Sequence, residues 1–292
     1  MSGKSVSTVP RRQLGRSLRQ LRERAGVTLR AASQRFEWSE TKMWRIETGK
    51  TPVRALDVQM MCGVYGADEA VATALTEMAR EAKAPSWWWS FENAAPVGFD
   101  VFASLELAAS RIDTYASDVM PGLLQTSDYV RAVVRAGFPN ASSEYIEGRV
   151  RFRMARQAIL TGNRPPVLRA ALSETVLRRP IGGSPVMAAQ LAHLVYVAGL
   201  PGISIRVVPL AAEVHPGALA GAFTVMHFPS PTGEIGEPTT VYCDTYTGGY
   251  YHDKEPEVAQ YTEAFEGIWS TAQDEDTSRR VLADTARSYQ GG

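Results

Sequence analysis

The sequence predicts two parts of unlike fold class: a mainly α bundle of five short helices at the N-terminus and a larger α+β domain, with an antiparallel or mixed sheet, after it. Three observations carry that expectation. Charge cancels overall but is polarised, since residues 1–54 hold 13 Lys and Arg against 4 Asp and Glu, residues 1–85 hold 15 against 9, and the remainder holds 16 against 22. Helical periodicity, punctuated by glycine and proline, fills the first 85 residues. After Val167, short runs rich in β-branched and aromatic residues read as strands. With 292 residues, 45% of them hydrophobic, the chain can fill two unequal cores. The expected division is a tail over 1–10, the bundle over 11–84, a Trp- and Pro-rich linker over 85–99 and the α+β domain over 100–292.

In the first helix Leu14, Leu18, Leu21 and Ala25 share one side and Arg12, Arg16 and Arg19 the other, and Gly26 ends it. Thr28 can cap a second helix running through Ala31, Ala32 and Phe36. Glu37 and Trp38 make the turn. Ser39 caps a third helix, Gly49 stops it and Pro52 confirms the stop. A fourth helix carries Leu56, Met60 and Val64 on one stripe, and a fifth, from Asp68, carries Val71, Leu75, Met78 and Ala82.

Two helices joined by a turn of three or four residues, the second with few core anchors, fit the helix-turn-helix design. Within SETKMWRIETGKT (Ser39 to Thr51), Met43 and Ile46 must face the bundle, and so must Glu47. A carboxylate on that side needs a cation, and Arg22, at the edge of the core face of the first helix, is the expected partner. The run LRERAGVTLRAASQRFEWSETKMWRIETG, from Leu21 to Gly49, resembles the lambda-repressor-like (Xre-type) helix-turn-helix family without a gap, and RIETG is its most specific part. In that family the matching Arg and Glu form a buried pair.

The resemblance implies a DNA-binding module. It places Glu40, Thr41 and Arg45 where base edges are met in the major groove, and their chemistry suits cytosine N4, a thymine methyl and guanine respectively. Trp44 and Thr48 share the outward side, where Trp44 can pack on sugar edges or on the bundle. Ser39, Lys42, Lys50 and Thr51 suit phosphate contacts. Leu29 stands where the family places a phosphate-binding Gln, and Arg30 beside it can take that contact. Glu37 replaces the usual turn Gly, so a left-handed backbone there would cost roughly 1 kcal/mol. Gly49-Lys50-Thr51 imitates the end of a P-loop, but Trp44 stands where that motif needs Gly and no strand precedes it.

Beyond the linker, a helix from Asp100 carries Val101, Phe102, Leu105, Ile112 and Tyr115 and ends before Pro121. Another opens at Thr126 or Ser127. A longer one runs from Ser143 to Leu160, with Arg149, Arg153 and Arg156 along a solvated or partner-facing side. Strands are expected at Val167–Leu172, Ile203–Pro209, Ala222–Phe228 and Thr239–Asp244, with helices at Pro185–Ala198 and Pro256–Ala272 and a last charged helix. The runs IDTYASDVMPGLLQTSDYVRAVVRA, SIRVVPLAAEVHPGALAGAF and VYCDTYTGGYY resemble the C-terminal domain of bacterial antitoxin-like helix-turn-helix regulators. Members are often encoded beside a small companion protein, so the resemblance implies a protein partner.

Catalysis is not expected. His193, His215, His227 and His252 lack metal-ligand spacing, Gly182 to Val186 begins like a nucleophile elbow but ends on Val, and no cofactor motif is present. Cys62 and Cys243 are too few for a disulfide framework. Tyr242, Tyr246, Tyr250, Tyr251 and His252 could instead line a pocket for a small-molecule effector that gates the regulator, or simply pack in the sheet. With no apolar run of membrane-spanning length and no secretory leader, the expected setting is the cytoplasm. The expected DNA is a palindromic operator bound by a homodimer.

Overall fold

The computed structural model describes residues 9–82, 99–229, 237–245 and 248–291. Of the expected tail and linker only residues 9, 10 and 99 lie within these, and Tyr246 lies outside them. Two compact units form. The first takes the described parts of Met1–Trp89, Val101–Ala108 and Phe228–Pro238, and the second takes the described parts of Ser90–Asp100, Ala109–His227 and Thr239–Gly292.

The first unit contains α1 (Val9–Arg24), α2 (Leu29–Arg35), α3 (Glu40–Glu47), α4 (Ala55–Tyr65) and α5 (Glu69–Glu81). Side-chain oxygens of Thr28, Ser39 and Asp68 accept from the backbone N–H groups of Ala31, Lys42 and Val71, which satisfies one orphan donor at the start of α2, α3 and α5. Leu14, Leu18, Ala32, Met43, Ile46, Val58, Met61, Cys62 and Leu75 form the core. Burial pushes the Cys62 thiol up to about 11, so it is an inert core residue.

Two expected stripes are corrected. Ala25 is exposed. On α4 the buried apolar residues are Val58, Met61, Cys62 and Tyr65, whereas Leu56 is 64% and Met60 46% exposed and Val64 is half-buried. Apolar residues occur nearly all round this helix, so periodicity cannot choose its inward face; packing against α5 and α1 does.

The next helix, α6 (Phe99–Ala108), is shorter than expected, because Arg111–Ala116 is a strand, β1. Ile112 and Tyr115 continue a helical spacing by coincidence. In RIDTYA the β-branched and aromatic residues alternate faces instead, and the segment pairs with two neighbours. There follow α7 (Ser127–Gly137), α8 (Ser143–Arg156), β2 (Val167–Ser173), α9 (Glu174–Arg178), α10 (Ser184–Val197), β3 (Ile203–Val208), α11 (Pro216–Ala220), β4 (Phe223–His227), β5 (Thr240–Thr245), β6 (Gly248–His252), α12 (Glu255–Thr271) and α13 (Glu275–Ser288).

The sheet is mixed, in the order β3-β2-β1-β4-β5-β6. β1, β2 and β3 run parallel, and β4, β5 and β6 continue antiparallel. The parallel strands are joined through helices, as parallel pairing requires. Tyr115, Ala171, Val208, Phe223, Val225 and Val241 face Phe265 and Ile268 of α12; Ile112, Leu168, Ala170, Leu172, Ile205 and Val207 point the other way by alternation and are buried too. On the outer edge of β3 the Val207 N–H donates to Ser278 Oγ and its carbonyl accepts from the Gln273 N–H, each at 2.9 Å.

The arginine stripe on α8 is not a solvated face. Arg156 is 5% exposed, Arg153 donates to Gln125 Oε1 at 2.7 Å, and Arg149 lies over the rings of Phe138 and Tyr145. The helix ends at Arg156 and passes into a 3-10 turn, Gln157–Leu160.

Among described residues other than glycine, Glu37 alone has positive φ, at 54°. It is exposed, so nothing in its side chain offsets the left-handed strain. Glu37→Gly is expected to stabilise the chain by about 1 kcal/mol, read as a higher urea midpoint at unchanged slope.

Candidate nucleic-acid interface

The third helix has two unlike sides. Met43, Ile46 and Glu47 are buried at 0%, 2% and 4% exposure, and Glu40, Thr41, Lys42, Trp44 and Arg45 are exposed. An eight-residue helix cannot hold its own orientation, so its outward face is set by what grips the inner one.

The grip is a bidentate ion pair. Arg22 Nε lies 2.7 Å from Glu47 Oε1 and Arg22 Nη2 lies 2.8 Å from Oε2. Arg22 is 6% exposed, and its Nη1 donates to the Val27 carbonyl, so the same side chain also fixes the turn into α2. The hydrogen bond to Glu47 raises the guanidinium above its ordinary value. Burial, with the nearby Glu47 charge, pushes the Tyr65 phenol up to about 12.

Glycine permits the close approach around this pair. A β-carbon on Gly15 of α1 would stand 2.5 Å from the Ile46 carbonyl oxygen and 2.7 Å from that of Glu47. At the end of α3, Gly49 has φ 68° and a β-carbon there would meet Arg12 Cα at 2.7 Å. Lys50 and Thr51 then donate their N–H groups to the Arg45 carbonyl, which turns the chain directly after the helix.

Sequence-selected residues fall on this surface in different conditions. Arg30 is exposed on α2. Ser39 is occupied as the N-cap of α3. Thr48 is half-buried and its hydroxyl donates to the Trp44 carbonyl at 2.8 Å, so what it offers outward is a methyl group and acceptor lone pairs. Lys42 Nζ sits 3.8 Å from the ring centroid of Trp38, and Lys50 Nζ 4.3 Å from that of Trp44. Each such contact is worth about 0.5 to 1 kcal/mol at an exposed site, enough to bias a flexible ammonium but not to fix it. Trp38, which also packs on Phe36, was not among the sequence-selected residues. Its i, i+4 spacing to Lys42 was the available signal.

The second unit gathers no comparable surface from the sequence candidates. His193 stands on α10, His215 caps α11, His227 lies 3.0 Å from Asp113 and His252 2.8 Å from Glu257. Tyr242 and Tyr251 pack ring against ring, and Tyr250 is 62% exposed. Among the described residues no helix is long and apolar enough to cross a membrane.

Fold and surface together define a DNA-binding regulator of the helix-turn-helix class. Residues 13–75 match a helix-turn-helix domain. Residues 99–284 match a domain of unknown function (DUF5753), and the chain, more than half of which this match covers, belongs to that family. No curated protein and no solved structure matches the chain.

Removing one partner of the buried pair strands the other charge. Arg22→Met is expected to cost about 3 to 5 kcal/mol in denaturant unfolding of the full chain, several times the loss from Arg19→Met, whose pair with Glu23 is exposed.

Proposed function

We propose that the chain is a sequence-specific, Xre-type transcriptional regulator without catalytic activity, working in the cytoplasm. The observation that carries this proposal is the two-sidedness of α3. Its inner side is locked by Arg22 and its outer side presents Glu40, Thr41 and Arg45, three side chains able to read major-groove base edges, flanked by Lys42, Lys50 and Arg30 for phosphates. The positive balance of residues 1–54 supports it, because phosphate neutralisation supplies most of the affinity of such modules.

The regulator acts as a homodimer on a palindromic operator, with half-sites about one helical turn, roughly 34 Å, apart or a multiple of that. The C-terminal domain is antitoxin-like and associates with a small protein encoded by a neighbouring gene. Support for these two statements comes from the symmetry that operators impose on such modules and from the runs quoted from the C-terminal part. Calorimetry with the neighbouring gene product tests the association, and absence of heat and of co-purification would remove it.

The DNA role is tested by recovering duplexes bound to the full chain from fragmented genomic DNA. A recurring pair of inverted half-sites is expected, and no affinity for any duplex in dilute salt would overturn it. On the recovered operator, Arg45→Ala is expected to relax the preference at one base position by about 1 to 3 kcal/mol, whereas Lys50→Ala weakens all sequences alike and lowers the salt slope by about 1. Competition titrations against single-base variants separate the two.

A further inference from the structure

Glu237 is another buried carboxylate of the first unit. It is 7% exposed and lies in Phe228–Pro238, between β4 and β5 in sequence. Its Oε1 stands 3.3 Å from both Nε and Nη2 of Arg12, and its Oε2 stands 3.3 Å from Nη1 of Arg16. The intervening α1 residue, Gln13, donates from Nε2 to the Pro229 carbonyl at 2.9 Å. One turn of α1 therefore engages both Pro229 and Glu237.

This contact differs in kind from the one between Arg22 and Glu47. There both partners are sealed and the distances are 2.7 and 2.8 Å. Here only the carboxylate is sealed, since the Arg12 and Arg16 side chains keep 24% and 35% exposure, and 3.3 Å exceeds the usual 2.7 to 2.9 Å or so of a strong charge-assisted bond. The first pair is sealed on both sides, and the second is open to solvent on its arginine side. Its location matters because Arg12 lies against Gly49, immediately before Lys50 and Thr51, the turn assigned to phosphate.

We propose that Arg12 and Arg16 are additional phosphate contacts and that Glu237 is an intramolecular competitor for them, an autoinhibitory carboxylate displaced when the head settles on DNA. The proposal rests on the DNA-binding role above. Both anions ask for the same two guanidiniums, so the free protein holds them on Glu237 and the complex on the duplex. A carboxylate carries no base information, so the brake acts equally on every sequence.

The test measures binding of the full chain to its operator and to a random duplex between about 50 and 200 mM salt. Glu237→Gln, which keeps shape and one acceptor oxygen, is expected to bind both duplexes roughly tenfold more tightly, with the salt slope unchanged because the complex is the same. Adding Arg12→Gln and Arg16→Gln to it is expected to cancel the gain and to lower the slope by about 0.9 for each arginine. Arg16→Gln alone, with Glu237 retained, gives an independent check through the same fall of about 0.9. Equal or weaker binding by a folded Glu237→Gln would overturn the competitor, and an unchanged slope after loss of both arginines would overturn the phosphate contacts. If wild type and variants all fail to bind any duplex, the DNA-binding role falls as well, a result distinct from equal binding by all.

Discussion

One ion pair out of reach of water determines what the first unit can present. Arg22 and Glu47 join the first helix to the third through two short bonds, and Arg22 also holds the turn before the second. Such a pair adds little net stability over a well-packed apolar one, because desolvation offsets the attraction. Its effect is on alternatives: a rotation of the third helix that moved Glu47 off its partner would leave an uncompensated charge in the core. The direction in which Glu40, Thr41 and Arg45 project follows from that penalty more than from any propensity of an eight-residue helix.

Around this pair the sequence was readable, for physical reasons. Thr28, Ser39 and Asp68 announce helix starts because only a short oxygen-bearing side chain can serve an orphan N–H there, and the caps stand at those residues. Glu47 declared its need for a cation by sharing a side with Met43 and Ile46. Glu37, where the resemblance implied a glycine turn, has a left-handed backbone. The two stacked lysines were less visible, since an indole four or six residues away is a usable platform only once the turn is folded.

Elsewhere, pattern and structure parted where local information was ambiguous. The fourth helix is apolar on too many sides for its period to show which one is covered. In β1, Ile112 and Tyr115 extend the helical spacing of the preceding segment, and the strand is selected by pairing with β2 and β4, partners distant in sequence. β6 opens with two glycines, a poor intrinsic strand signal, and is held by its register with β5. The α8 arginines read as a wet face because charge usually seeks water, yet Arg156 is enclosed and Arg153 spends a donor on Gln125. Long-range pairing and burial of charge are decided by the assembled fold.

Gly15 has a consequence for how recognition must be shared between protein and nucleic acid. With α1 pressed against the last carbonyls of α3 at a distance that excludes even a methyl group, the two helices cannot slide past one another to accommodate a mismatched groove. In the DNA-binding role proposed above, conformational adaptation then falls to the double helix, whose pyrimidine–purine steps deform most readily.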